Sequence, residues 1–452
     1  YLKERGLDTP ERIKARNGEF IRFLNELEGA RMDEQIRFLR EELGVRTLIT
    51  DHNYVNKFTM QPLRERLDFV DNHQYWDHPE FVEQRWRLPN RYHQRSALAR
   101  MAEFPRAMMP TRIFGKPFTV TEYNYCNPNR FRREAGPLAG AWAGFQEWNG
   151  LYRFAWSHAR PQPAGKGRAP AGFDIANDPQ ELLSERIVHA LFVRGDVAPG
   201  REAIAFTVDD ALISKLPNLD WGTTDYPTDF NRLGLFHRIG TLTAGKQVPG
   251  VQALPVGDWY RGLSQTERAE IRQAADEKRA VTDTGEIEID GKSGHFRCLT
   301  PRSEVLVLPG GDAAGRLLRV SGATVAQTVA LISKEKQPIT AGGDLLLFQL
   351  TRTGNTGMRF RDRKERILES WGTLPVLLQR GSAQIEIGTL PPGAWHVVAL
   401  SPDGTERGTV PSEFTGGKLR FTAANDAFPQ GVMAYFITRK QPNDVVPQKQ
   451  EQ

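Results

Sequence analysis

Residues 116–125, KPFTVTEYNY, are the stretch that decides the predicted fold of this chain. Phe118 and Val120 alternate with threonines, and the run has the length and the β-branched content of a buried strand. The strand then ends on a carboxylate, Glu122, which has aromatic residues beside it. An acid at the end of a buried strand needs a reason, and the neighbouring elements supply one.

Strand patterns and helix patterns alternate on both sides of this stretch. Residues 19–44 have apolar residues at helical spacing and end at Gly44, and residues 136–150 form a helix rich in small residues. The predicted strands are 45–50 (VRTLIT), 67–76 (LDFVDNHQYW), 116–123 (KPFTVTEY) and 151–158 (LYRFAWSH). This alternation implies parallel strands joined by crossover helices, and the continuous apolar runs are typical of strands buried on both faces.

The pattern changes beyond residue 172. Residues 159–172 are rich in Pro, Gly and Ala and mark a boundary, and short strand-like runs broken by Gly, Pro, Asp and Asn follow them. The predicted fold class is therefore α/β plus all-β. The predicted organisation is an α/β part at 1–160, a linker at 161–172, a β-rich domain with a helical insert at 173–330, a β-sandwich domain at 331–440, and a polar tail at 441–452.

Composition excludes several classes of function. The chain has 452 residues, 39% of them hydrophobic, which is enough for several domains with their own cores. Its net charge of +5 is small and its basic residues are mixed with acids, so we expect no nucleic-acid partner. No apolar run reaches 18 residues, so we expect no membrane span. The two cysteines lack zinc-site spacing, and we expect neither a metal nor a cofactor.

Polar and aromatic side chains follow the carboxyl ends of all four predicted strands, at Asp51 to Tyr54, Asp71 to Trp76, Glu122 to Tyr125 and Trp156 to His158. In (β/α)8 barrels this end of the strands carries the chemistry. Acids and amides suit sugar hydroxyls, and aromatic faces suit the apolar face of a pyranose ring. The pattern therefore indicates a carbohydrate cleft.

These strands resemble those of clan A glycoside hydrolases. FTVTEYNY is similar to their seventh barrel strand, FVDNHQYWDHP to the sixth, RTLITDHNY to the fifth, and GFQEWNGLYRFAWSH to the last helix and eighth strand. The resemblance implies that residues 1–160 are the C-terminal half of a (β/α)8 TIM barrel, followed by β-sandwich domains, as in multidomain β-galactosidase-like and cellulase-like members. It implies a retaining β-glycoside hydrolase with Glu122 as the nucleophile. It also implies that His73, Tyr75 and Trp156 bind substrate, and from their places at the strand ends we predict the same for Asp51, Asn53 and Tyr123.

The resemblance leaves the first half of the barrel and the acid/base carboxylate unaccounted for. Asn25-Glu26 is a poor candidate for that acid, because it lies on the polar side of a helical pattern with no buried strand before it. We therefore expect the missing half to lie upstream on the same polypeptide or on a second chain. By analogy with polysaccharide-degrading enzymes we expect a secreted or periplasmic protein.

Two alternatives stay open at this point. A non-catalytic carbohydrate-binding protein would keep the aromatic residues and the β-sandwich but lack the acid. A lyase or metal hydrolase could use the Asp and His residues near positions 51 and 71, although neither HxH nor HExxH spacing is present.

Overall fold

A computed structural model gives the fold and describes residues 5–6, 9–54, 57–158, 167–215 and 224–439. The helices in these ranges are α1 (Pro10–Arg37), α2 (Gln61–Arg64), α3 (Glu103–Met108), α4 (Ala135–Phe145), α5 (Pro179–Val188), α6 (Asp210–Lys215), α7 (Thr228–Leu233) and α8 (Gln265–Arg272). The predicted tail at 441–452 and residues 161–166 of the predicted linker lie outside the described ranges. None of these helices combines the length and the apolar character that crossing a bilayer requires.

The strands up to residue 253 are β1 (Val70–Trp76), β2 (Glu80–Phe81), β3 (Asn90–Arg91), β4 (Phe118–Tyr125), β5 (Gly150–Arg153), β6 (Ala203–Val208), β7 (Arg238–Thr243) and β8 (Val251–Ala253). The later strands are β9 (Arg279–Val281), β10 (Ile287–Asp290), β11 (His295–Leu299), β12 (Ser303–Leu308), β13 (Gly311–Ala314), β14 (Leu318–Ala323), β15 (Gln327–Ser333), β16 (Leu345–Leu350), β17 (Thr353–Thr356), β18 (Arg359–Phe360), β19 (Ile367–Ser370), β20 (Thr373–Leu378), β21 (Ser382–Ile387), β22 (His396–Leu400), β23 (Glu406–Val410), β24 (Ser412–Thr415), β25 (Lys418–Ala424) and β26 (Ala434–Thr438). The protein thus mixes helices with sheets, and many of its strands are antiparallel.

Strands β1, β4 and β5 form a parallel sheet in the order β1-β4-β5. One face of this sheet packs on helices, and α4 lies in that core with its small residues against α5. A Cβ added to Gly136 would lie 2.3 Å from the carbonyl oxygen of Ser184, and one added to Gly140 would lie 3.0 Å from the Cα of Val188. The small residues of α4 therefore allow the close approach of the two helices.

Two of the predicted strands differ from the structure. Residues 45–50 are not a strand, and the prediction there is wrong: the Ile49 amide donates to the Asp68 carboxylate at 2.7 Å instead of to a strand carbonyl. Of residues 151–158, only those up to Arg153 pair with β4, and Trp156 lies beyond the strand. In the first segment a polar contact replaces the strand pairing that the apolar run predicted, and in the second a loop does.

Residues 203–253 contain a second parallel sheet, in the order β7-β6-β8. The all-β prediction for this region missed it. Every residue of β6 is buried, so its sequence, AIAFTV, has no alternation from which its neighbours could be inferred.

The strands from β9 onward build most of a β-sandwich. A nine-stranded antiparallel sheet, in the order β23-β22-β26-β16-β15-β12-β11-β10-β9, packs on a five-stranded sheet in the order β13-β14-β21-β25-β24. In β12, Leu306 faces the five-stranded sheet, while Val305 and Val307 join the core shared with α4 and α5. The large sheet is thus a middle layer between helices and the smaller sheet. The predicted domain division stays a prediction, and residue 330 lies within β15 of this sheet.

We expect the stability of this fold to fall between about pH 6.5 and pH 9 because of His237. Its side chain is buried, with Nε2 2.8 Å from Glu270 Oε2 and Nδ1 3.3 Å from carboxylate oxygens of both Asp283 and Glu202. Burial lowers its pKa, but hydrogen bonds to Asp283 and Glu270 outweigh burial and raise the pKa to about 9. A folded-state pKa above the unfolded value adds stability that is fully present below pH 6.5 and is lost as pH rises through 9.

The loss should approach about 3 kcal/mol, at about 1.4 kcal/mol for each unit of pKa difference. Denaturant unfolding at pH 6 and pH 9 measures it directly. In His237→Gln, which cannot take up the proton, the difference between the two pH values should shrink by that amount. If the free energy of unfolding differed between pH 6 and pH 9 by the same amount in both proteins, the prediction would be wrong.

Candidate functional site

A β-bulge sets the direction of Glu122. Asn72 pairs with Val120 and the next residue of β1, His73, pairs with Glu122, so Thr121 is the extra residue on β4. Before the bulge, Val120 faces the helices and is fully buried. The additional residue turns Glu122 to the other face, which it shares with His73 and Tyr75. Bulges often re-aim side chains in this way beside functional sites.

Asp71, in the neighbouring strand β1, stabilises the bulge. This carboxylate is almost completely buried and accepts hydrogen bonds from Thr119 Oγ1 at 2.6 Å, from the Thr121 amide at 3.0 Å, and from the Thr121 hydroxyl. His73 Nε2 lies 3.4 Å from Asp71 Oδ2 and 2.9 Å from Thr121 Oγ1. Asp71 therefore holds both the irregular backbone and the imidazole next to Glu122.

Glu122 is held by two side chains of β1. The Tyr75 hydroxyl donates to Glu122 Oε2, and His73 Nδ1 lies 3.3 Å from the same oxygen. The Glu122 side chain is nevertheless about one-third exposed (32%) and lines a pocket, so it is accessible to a ligand. Burial, followed by the hydrogen bond to Glu122 and the charge of that residue, raises the pKa of Tyr75 well above its usual value. Tyr75 hence stays protonated and donates to the carboxylate across the physiological range.

Glu122 faces a pocket of about 610 Å³, within the size range of small-molecule sites. Its wall is mainly aromatic: Tyr75, His78, Phe81, Trp86, Tyr92, Phe154, His158, Phe173 and Trp371, together with Pro79, Asn90, Glu122, Ala171, Gly172 and Asp174. Burial lowers the pKa of His78, which keeps that ring neutral at pH 7. A carboxylate beside many ring faces suits a ligand that has both hydroxyl groups and apolar faces.

The structure brings together three of the predicted site residues, Glu122, Tyr75 and His73. Asp51 and Asn53 are exposed on a loop, and neither lines the pocket. Trp156 is also exposed and lies outside the lining, whereas Phe154 and His158 from the same segment belong to it.

Tyr123 has a different role from the predicted one. It is only 1% exposed, and its hydroxyl donates to the Glu185 carboxylate at 3.0 Å. Because it lies on the helix-facing side of β4, it cannot contact a ligand in the pocket, and we do not retain it as a substrate-binding residue.

Several lining residues were not predicted. Phe81 and Trp86 follow β1, and the aromatic density of residues 75–86 is a signal that sequence reasoning could have used. Trp371 comes from the β-sandwich region, far away in the chain, and no local pattern connects it with Glu122.

Asp174 is the other carboxylate of the pocket wall within the described residues. It accepts hydrogen bonds from the His158 amide at 3.0 Å and lies 2.5 Å from His158 Nδ1, so it is engaged in holding the loop after β5. Among the described residues, no cluster of three or more His, Cys, Asp or Glu side chains could hold a metal ion.

The chain was also compared with known proteins. No family model, no curated protein and no solved structure matches it.

Proposed function

We propose that this chain is part of a retaining β-glycoside hydrolase that cleaves β-linked oligo- or polysaccharide, with Glu122 as the nucleophile. The observation that carries the proposal is the accessible Glu122 carboxylate, held by Tyr75 and His73 at an aromatic pocket. The pocket lies at the carboxyl ends of parallel strands, where the ligand sites of α/β sheets lie.

The proposed reaction is a double displacement. The Glu122 carboxylate attacks the anomeric carbon, and the bond to the leaving oxygen breaks while an acid protonates that oxygen. The group that acted as the acid is now deprotonated and acts as a base. It takes a proton from water, and the water oxygen displaces Glu122 from the sugar. Tyr75 and His73 aim the carboxylate and keep one of its oxygens engaged, which leaves the other oxygen for attack.

The acid/base carboxylate is proposed to lie outside this chain, on the first half of a (β/α)8 barrel whose second half includes β1, β4 and β5. Parallel sheets are normally covered on both faces and extended at their edges. In the described part of the chain, no strand pairs with the outer edges of β1 and β5. On the sheet face that carries Glu122, Thr121 and Tyr152 are exposed.

The exposed apolar surface of helix α1 also supports the proposal that the first half of the barrel packs against this chain. One of its faces is buried through Ile21 and Met32. Its opposite face carries exposed apolar side chains: Phe20, Phe23, Leu24 and Leu27. A helix with apolar residues on two faces is typical of an element packed between two layers. The half barrel is proposed to supply the second layer, from the same polypeptide or from another chain.

To test this proposal, the intact protein is incubated with a panel of β-linked oligosaccharides, and NMR detects which anomer is released first. A retaining enzyme should first release the β-anomer, which mutarotates afterwards. Release of the α-anomer first would rule out double displacement, and loss of activity on addition of a chelator would favour a metal hydrolase.

The second candidate is a carbohydrate-binding protein without catalysis. The observation that favours it is that, within the described residues, the only other carboxylate of the pocket wall is Asp174, which is bound to His158. Binding of oligosaccharides without any hydrolysis by the intact protein would select this candidate.

A further inference from the structure

The loop between β1 and β4 is fixed at its base. Asp77 begins it with a left-handed backbone and accepts hydrogen bonds from the amides of His93, at 2.5 Å, and Gln94, at 2.8 Å. Asn129 Nδ2 donates to the same carboxylate at 2.8 Å. The aromatic residues of this loop are therefore carried by an ordered support.

The β-sandwich region holds the same loop at its far side. Strand β3 pairs with β19, with Asn90 opposite Leu368, so the loop and the β18–β19 hairpin share one four-stranded sheet, in the order β18-β19-β3-β2. Leu368 is fully buried beside Tyr92. The chain then continues directly from β19 to Trp371, which lines the pocket. One wall of the pocket thus joins two parts of the protein that are far apart in sequence.

Trp86 is the least expected residue of this wall. Its side chain is 62% exposed, and its backbone has φ of 64°, a left-handed conformation that bulky residues rarely adopt. Exposure of a large apolar ring and a strained backbone are both unfavourable for folding, and such strain is found preferentially at functional sites. Its ring lies 4.7 Å from that of Phe81 and 6.4 Å from that of His78.

A series of neighbouring rings connects the Glu122 carboxylate with Trp86. Tyr75, which donates to Glu122, has its ring 5.4 Å from that of His78, and His78 is the neighbour of Trp86. Trp86 lies two ring-to-ring steps beyond the residue that bonds Glu122. With ring-to-ring distances of 5.4 Å and 6.4 Å between Tyr75, His78 and Trp86, Trp86 is positioned to contact a different sugar ring from the one at Glu122.

We propose that Trp86, together with Phe81 and with Trp371, which directly follows the β18–β19 hairpin, forms a second sugar-binding subsite next to the one at Glu122. This inference rests on the proposed function and deepens it: the ligand is a β-linked oligosaccharide of at least two pyranose rings. The negatively charged faces of the indoles suit the apolar C–H face of a pyranose. The two-sided support of the loop preorganises this surface for binding.

The test compares Trp86→Ala with Tyr260→Ala in the intact protein. Tyr260 is a matched control, because it is also an exposed aromatic residue with an arginine over its ring, and it does not line the pocket. Calorimetry measures the binding of cello-, xylo-, manno- and β-1,4-galacto-oligosaccharides of one to four rings, with Glu122→Gln added to each protein so that ligands stay intact.

Trp86→Ala should weaken the binding of the longer sugars about 10-fold or more, the usual loss at a tryptophan hot spot, and should leave monosaccharide binding unchanged. Tyr260→Ala should bind every sugar as the parent does. Trp86→Gly should lose the same affinity while its unfolding temperature stays equal or rises, because glycine adopts the left-handed backbone without strain.

Three outcomes would overturn the subsite: equal affinity in Trp86→Ala and the parent, equal losses for single sugars and oligosaccharides, or no binding of any sugar. The two proposals fail separately. Binding that depends on Trp86 without hydrolysis would support the subsite and contradict the enzymatic function. Hydrolysis that is unchanged in Trp86→Ala would support the enzymatic function and contradict the subsite.

Discussion

Replacing Glu122 with glutamine should abolish turnover by the intact protein and leave its fold unchanged. The amide can still accept the Tyr75 hydrogen bond, but it cannot form the glycosyl-enzyme bond. Removal of a catalytic nucleophile lowers kcat by several powers of ten, and we expect a loss on the order of 10⁴-fold or more. Initial rates on the best substrate of the panel measure this loss, and an unfolding curve checks the fold.

A second glutamate serves as the control. Glu147 is exposed and pairs with Arg238 on the surface, so Glu147→Gln should retain full activity. Tyr75→Phe removes the hydrogen bond to Glu122 and keeps the carboxylate, so a loss of about 10- to 100-fold is expected, as for a hydrogen bond to a charged group. Activity of Glu122→Gln within a factor of ten of the parent would end the assignment of the nucleophile.

The cluster of Glu122, His73 and Tyr75 could be predicted from sequence because parallel strands bring their carboxyl ends to one edge. The face on which Glu122 lies could not. Strict alternation from Phe118 and Val120 places Glu122 on the buried helix face, and only the bulge at Thr121 reverses this. A bulge depends on the partner strand, and here on Asp71 beneath it.

Other features depended on contacts that no local pattern contains. The aromatic wall includes Trp371, which reaches the pocket because β19 pairs with β3, across most of the chain. Residues 45–50 have the composition of a strand but donate to Asp68 instead. In both cases pairing is decided by tertiary neighbours, which override propensity.

Replacing Arg132 with methionine should cause the largest loss of stability that we expect from one substitution, about 3–5 kcal/mol. Arg132 is only 2% exposed and pairs with Asp178, which caps α5, and with Glu181 at 3.4 Å. Its other nitrogen donates to Thr353 Oγ1 in β17 at 2.9 Å. Methionine fills most of the volume but leaves Asp178 buried without its countercharge. Denaturant unfolding measures the loss.

The charge, rather than the packing, is the expected cause, and a second variant separates the two. Asparagine caps a helix as well as aspartate does, so adding Asp178→Asn to Arg132→Met should recover part of the stability by removing the unpaired charge. Arg361→Met, which breaks an exposed pair with Glu369, should leave the stability nearly unchanged. If Arg132→Met costs no more stability than Arg361→Met, the buried pair of Arg132 with Asp178 does not stabilise the fold.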